Sequence, residues 1–304
     1  MAWRHLVRHK VFSLINILGL STGIAACLLI YGYVHYQRSF DSYHPKADRI
    51  ARITSIFTTP ESEMNFATSL AMLAPSLKRD CPQVEETVRI EPGGVTVTRD
   101  GALFSEERFV YTEQSIFSIF QFTFLDGNPA TALTTPNSIV LTKSTARKYF
   151  NSERAVGRTL VCDRKTWQVT AVIADRPSNS DIKMDALLWK NYQPTRWMDD
   201  DFESYTYVLF RGRPDLPALQ KQMDIMSAKS VQPELDRLDA SGDHVIFRPE
   251  MLADVHFSKG KLIDTPKGMR IPLGDVATLC VRGGSMNIAH ESGKHLASDR
   301  KSVV

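Results

Sequence analysis

The chain has 304 residues, 43% of them hydrophobic and 23% charged, and 37 Lys and Arg against 34 Asp and Glu leave a net charge of +3. That composition is ordinary for a globular fold, and the length allows one large or two small domains. So small a net charge, with no Lys/Arg cluster interleaved with aromatics, excludes the footprint of a nucleic-acid-binding protein.

The first element is the most informative. After a basic leader, residues 1–10, that holds Arg4, Arg8 and Lys10, residues 11–37 contain no Asp, Glu, Lys or Arg. A bilayer core about 30 Å thick needs roughly 20 apolar residues in a helix, so this run spans a membrane even when tilted. Tyr31, Tyr33 and Tyr36 stand at its far end, where amphipathic rings favour the headgroup layer. A cleaved signal peptide has a shorter apolar region, about 7–15 residues. Ile24-Ala25-Ala26-Cys27 has the form of a lipidation site, yet the apolar run continues past the cysteine to Tyr36. A buried helix of a soluble protein is seldom uncharged for so long. The segment therefore reads as a retained transmembrane helix. Orientation by charge is nearly a tie, because Arg38, Lys46, Arg49 and Arg52 follow the helix; the compact leader tips it toward an inside N-terminus.

Beyond the helix the pattern alternates between short strands and helices. Asp48–Thr58 alternates apolar and polar residues and reads as a strand. Thr68–Arg79 carries Leu70, Leu73, Ala74 and Leu77 at helical spacing, with Pro75 expected to kink or restart it. Thr87–Thr98 and Leu103–Tyr111 read as strands joined through Arg99-Asp100-Gly101. Gln114–Phe120 reads as a short helix feeding a core cluster of Phe117, Phe120, Phe122 and Phe124. Ser138–Thr142 is a strand and Lys143–Phe150 an amphipathic helix. Gly157–Cys162 and Trp167–Ala174 form a hairpin across Asp163-Arg164-Lys165. Asp185–Trp189 and Tyr205–Phe210 are further strands, Leu216–Val231 is a helix with Leu219, Met223 and Met226 on its core stripe, and Val245–Phe247 and Leu252–Phe257 complete the strands. The fold class is α+β: one transmembrane helix followed by a two-lobed mixed α/β domain, with helices expected on one face. Cys81 and Cys162 either pair, in an oxidising compartment, or stand as two buried thiols.

Three blocks carry a resemblance. The helix core runs on into Phe40-Asp41-Ser42-Tyr43-His44-Pro45-Lys46-Ala47-Asp48-Arg49-Ile50. Thr145–Phe150 is followed by Ala155-Val156-Gly157-Arg158-Thr159-Leu160. Val172-Ile173-Ala174-Asp175-Arg176-Pro177 is followed by Ser180-Asp181-Ile182. In this order they resemble the first helix and periplasmic core domain of MacB/FtsX-type ABC transporter permeases. The resemblance implies a membrane subunit that couples a separate cytoplasmic ABC ATPase to export or to mechanical transmission in the periplasm. It also implies lipid and a periplasmic protein as partners, and the bacterial inner membrane as location. The core domain would cover residues 38–268, with further helices expected after residue 270.

Residues 269–304 change character, rich in Gly, Ser and His without periodicity. Asp299–Val304 matches what a common sequencing adapter encodes, so a non-native or disordered tail is expected. His290, Glu291 and His295 are accordingly not read as a metal site.

No catalytic, cofactor-binding or metal residues are assigned. A GxxxxGK[ST] phosphate loop, a GxSxG elbow and CxxC or HExxH spacings are all absent. His44, His244 and His256 are scattered and read as hydrogen-bonded structural residues. Asp199-Asp200-Asp201 reads as a solvated loop. The competing class is a membrane-anchored sensor or ligand-binding ectodomain, which needs the same helix and outer domain.

Overall fold

The computed structural model describes residues 10–99, 101–198, 202–238, 240, 242–258, 287–291 and 294–298. Helix α1, Lys10–Arg38, is 29 residues long, about 44 Å at ~1.5 Å per residue. Its apolar side chains face outward all round, with Leu20 67% and Leu29 75% exposed. A helix apolar on every side needs a nonpolar surround, and Leu14–Arg38 is long and apolar enough to cross a membrane.

The domain is built on one continuous sheet. Its strands are β1 Ile50–Thr58, β2 Glu63–Phe66, β3 Val84–Arg99, β4 Ala102–Thr112, β5 Phe124–Gly127, β6 Ser138–Thr142, β7 Thr159–Cys162, β8 Lys165–Ile173, β9 Ala186–Trp189, β10 Tyr205–Phe210 and β11 His244–Met251. The order is β11-β1-β10-β3-β4-β9-β6-β8-β5, with β2 on β1 and β7 on both β3 and β8. Most pairs are antiparallel; β4–β9 and β6–β8 are parallel. Two lobes result. In the first, β11, β1, β10 and the start of β3 form an open sheet. In the second, the pairings β3–β4, β4–β9, β9–β6, β6–β8, β8–β7 and β7–β3 return to their starting strand. That ring closes around Val97, Phe109, Ile139, Leu141, Val169 and Leu188, and α4, Lys143–Phe150, adds Ala146 and Tyr149. Closure removes most of the sheet edge.

The open lobe is covered on both faces, not on one. Along β10, Tyr205, Tyr207 and Leu209 face one cluster and Val208 and Phe210 the other. Helices α3, Ile116–Ile119, and α7, Leu252–Ser258, cover the first face. Helices α2, Leu73–Asp80, α5, Leu216–Met226, and α6, Gln232–Arg237, cover the second. Strands that are apolar on both faces require cover on both. The phenylalanine cluster packs as expected, with Phe117 edge-on to Phe122 and Phe124.

Several elements depart from the sequence reading. Leu252–Phe257 is helix α7 rather than a strand, because Leu252 and Val255 bury together one turn apart. Helix α2 begins at Leu73, so Pro75 falls in its first turn, where a missing N–H costs nothing. The helix from Leu216 passes into a π turn at Ser227–Val231. Pro233 lies just beyond; its ring would clash with the carbonyl of Lys229 in a regular helix, and the wider turn accommodates it. Strands β2 and β5 and helix α6 carry too few residues to show a period.

Local chemistry fixes the boundaries that were read well. Thr142 caps α4 by accepting from the Thr145 N–H, and Asn151 ends it at φ 53°. Asp215 caps α5 at the Ala218 N–H, 2.9 Å. Gly127 ends β5 at φ +88°, where a Cβ would lie 2.5 Å from the Thr170 carbonyl oxygen. Cys81 and Cys162 are free thiols in different clusters, Cys81 beneath α2 and Cys162 inside the ring. Burial pushes them up to about 11 and about 12. In the tail, Asn287–Glu291 (β12) and Lys294–Ser298 (β13) form an antiparallel two-stranded ladder, separate from the main sheet. The sequence reading expected no strand there. Such a hairpin alone is marginal in water.

Candidate functional site

The joint where α1 enters the domain gathers the densest polar network. The chain leaves the helix at Ser39 and turns at Asp41, whose φ of 52° is left-handed. A non-glycine residue is held there only when its surroundings over-determine it, and here they do. The Asp41 N–H donates to the Asn179 carbonyl, 2.9 Å. Its carboxylate accepts from Ser180 Oγ at 2.9 Å and from the Asp181 N–H at 3.1 Å. Asn179 Nδ2 donates to the Ser39 carbonyl at 2.9 Å and to Ser39 Oγ at 3.1 Å. Two short segments about 140 residues apart are thus stitched through backbone and side chains.

Behind them lies a second layer. Ser180 Oγ accepts from Tyr43 Oη at 3.0 Å and from Arg176 Nη2 at 3.3 Å. The Arg176 guanidinium lies 4.8 Å over the Phe122 ring. His44 accepts from the Gln121 N–H at Nδ1, 3.1 Å, while its Nε2 lies 3.2 Å from Arg176 Nη2. Lys46 Nζ donates to the Ser118 carbonyl at 2.7 Å. On the other side His256 of α7 meets Asp181 and Gln37.

Burial sets the electrostatics. It raises the Asp41 carboxyl above its ordinary 3.8, against the Ser180 and Asp181 hydrogen bonds and the nearby Arg176. His44 is pushed down to about 3, first by burial and then by the Arg176 charge. A protonated ring could accept from neither neighbour. Burial also lowers Arg176 and raises Tyr43.

The linkage has a definite sign. Above pH 6.5, His44 is neutral in folded and unfolded chains alike. As pH falls from 6.5 toward 3 the unfolded ring takes a proton and the folded one does not, so stability is lost. Asp41 works in the opposite sense at the acid end, because its folded carboxyl takes a proton before the unfolded one. The melting temperature of the full chain in detergent should therefore fall between pH 7 and 5. In His44→Asn, which keeps an acceptor for Gln121, it should fall less. The gap between the two proteins should narrow with falling pH; parallel profiles would exclude His44 as the cause.

The sequence reading left His44, His244 and His256 as separate structural residues. The joint brings His44 and His256 to opposite sides of one network, while His244 lies on β11 beside Gln232, 2.9 Å away. Asp199-Asp200-Asp201 lies outside the described residues. The backbone of His290, Glu291 and His295 falls in the β12–β13 ladder. Asp41, Arg176 and Ser180 were quoted only as parts of family blocks. They stand in polar segments, and no pattern of spacing or hydrophobicity marks them as members of a buried network. Two of the three blocks, Phe40–Ile50 and Val172–Ile182, build this joint; the third forms α4 and the approach to β7.

A sheet-rich α/β domain tied through such a joint to one long apolar helix is a membrane-anchored domain. Over residues 13–225 the chain matches the MacB-like periplasmic core domain, and it belongs to that family, the periplasmic domains of ABC transporter permeases. This is a transporter permease domain, not a typical enzyme family.

A permease-protein domain from Porphyromonas gingivalis is similar in fold, with a TM-score of 0.59 and 21% identity over 68% of this chain and 91% of that one. The periplasmic region of MacB from Actinobacillus actinomycetemcomitans gives a TM-score of 0.43 and 11% identity, over 66% and 89%. The extracellular domain of the ABC-type transporter YknZ from Gram-positive bacteria gives 0.42 and 13%, over 64% and 99%. No curated protein matches the chain significantly.

Proposed function

We propose that this protein is a permease subunit whose first helix links a separate cytoplasmic ABC ATPase to the domain outside the inner membrane. The leader, residues 1–10, faces the cytoplasm, residues 11–37 span the membrane, and residues 38–268 work on the periplasmic side. Residues 269–304 stand apart from that unit. Family membership supports the setting. The observation that carries the reading is the joint: a tether would work with any linker, whereas transmission needs a stiff one, and here Ser39, Asp41, Tyr43, His44 and Lys46 all bond into the domain within one short segment. Displacement of the helix would then carry the sheet with it. Periplasmic proteins and lipid are the partners this arrangement serves, and no residue is assigned a catalytic role.

Reconstitution with a candidate ABC ATPase from the same source tests the proposal. In nanodiscs the permease should form a stable complex and change the ATPase turnover. Asp41→Ala should uncouple that change while the complex persists. Turnover indifferent to the permease, or to the joint, would overturn the coupling.

A further inference from the structure

The first face of the open lobe is not completely filled. Between α7, residues 181–183 and strands β3, β4 and β10 lies a cleft of about 240 Å³. That exceeds the ~150 Å³ cavity that takes up benzene in an engineered protein core. Its apolar walls are Ile90, Val110, Ile182 and Val255, all buried members of the same core cluster. The cleft is therefore a gap in that core, open on one side, and not a dent in a polar surface.

Two buried polar side chains line it, and both can donate. Arg52 of β1 gives its Nη2 to Glu250 at 2.8 Å and to Ser258 at 3.1 Å, while its Nε has no hydrogen-bond partner among the described residues. A guanidinium carries five N–H donors and no acceptor, and a buried donor left unpaired is costly. Tyr207 of β10 lies close enough to Arg52 for their charges to interact, and burial raises its hydroxyl. It therefore stays protonated and able to donate. What the cleft lacks is an acceptor.

Charge is already balanced. Glu250 matches Arg52, and Asp181 meets His256 at 2.9 Å. Lys183 and Glu107 are both exposed, at the rim, and carry opposite signs. A charged guest would upset that balance and would have to shed its water to enter.

We propose that the cleft binds a small uncharged molecule, an apolar ring-sized body with one accepting oxygen, as in a ketone or an amide, directed at Arg52. The body displaces water from Ile90, Val110, Ile182 and Val255, and the oxygen supplies the missing acceptor. The site stands independently of any coupling between α1 and an ATPase.

Benzophenone is the probe, because its ketone is both the accepting oxygen and, under near-ultraviolet light, the group that inserts into neighbouring C–H bonds. The full chain in nanodiscs is labelled and mapped by peptide mass spectrometry. Label should appear at Val110, Ile182 or Val255, besides the outward-facing residues of α1. Excess benzamide, a soluble one-ring amide, should remove most of the cleft label and leave that on α1 unchanged. Benzoate, its anionic counterpart at pH 7, should need about tenfold more for the same competition. Ile182→Trp and Val110→Phe fill the cleft from two sides, and each should abolish its label while keeping the wild-type melting midpoint. Arg52→Lys keeps a cation for Glu250 but loses the planar fork, and should raise the half-competing benzamide concentration by about tenfold. Label confined to α1, or cleft label indifferent to benzamide, would overturn the site whether or not the filled variants fold. Benzoate competing as well as benzamide would overturn the uncharged class of guest.

Discussion

Asp41→Ala should lower the stability of the full chain in detergent by about 2–3 kcal/mol. Two hydrogen bonds to a charged acceptor, each worth ~1.5–3 kcal/mol, are lost, and relief of the buried carboxylate's desolvation offsets part of that. The Ser180 hydroxyl and the Asp181 N–H are left in a buried site without the partner that organised them. At roughly 2–4 °C per kcal/mol for a domain of this size, the melting midpoint should fall by about 4–12 °C. Asp41→Gly separates the two contributions. Glycine adopts φ 52° without a Cβ penalty, so it should be the milder change by ~1 kcal/mol. Equal losses in the two variants would mean that the left-handed turn is not part of the native joint.

Phe109→Ala should have the larger effect, about 3–5 kcal/mol, because it empties the centre of the closed ring. Phe109 is fully buried among Val95, Val97, Ile139 and Leu188, with strands on every side that cannot collapse inward. Chemical denaturation in detergent should show the loss as a lower midpoint. Leu103→Ala on the same strand, 70% exposed, should stay within ~0.5 kcal/mol. Comparable losses at the two positions would contradict the enclosed core.

Much of this was legible from the chain because local chemistry decides it. An uncharged run of this length admits few structures, and α1 follows. Ser138–Thr142 and Lys143–Phe150 emerge with their expected boundaries because a short, continuous apolar run gives way at Thr142 to a helix cap. α7 was misread because Leu252, Asp254 and Phe257 sit in a stretch too short for a period of two to be told from one of 3.6. Tertiary burial of Leu252 and Val255 decides it.

The joint was legible only in fragments. Asp41 and Ser180 are 139 positions apart, and neither short polar segment announces a partner. Closure of the ring is equally non-local, since it rests on the two-residue pairing of Val97 and Thr98 with Cys162 and Val161. The Cys81 and Cys162 question needed three dimensions as well: both are apolar-context cysteines in sequence, and only the fold assigns them to separate cores.

Strand β3 has a mechanical consequence. Its 16 residues run unbroken from the open lobe into the ring, about 50 Å at ~3.3 Å per residue. If the joint transmits displacement as proposed, β3 would carry it from the open lobe into the ring as a beam, with no linker between the two to absorb it. The beam has one soft point, the register shift between Gly93 and Val95, where Gly93 lies so close to the Tyr111 ring that a Cβ would sit 2.8 Å away. Bending under load would concentrate there. The tip of the β3–β4 hairpin, with Leu103 and Phe104 exposed, would sweep the widest arc.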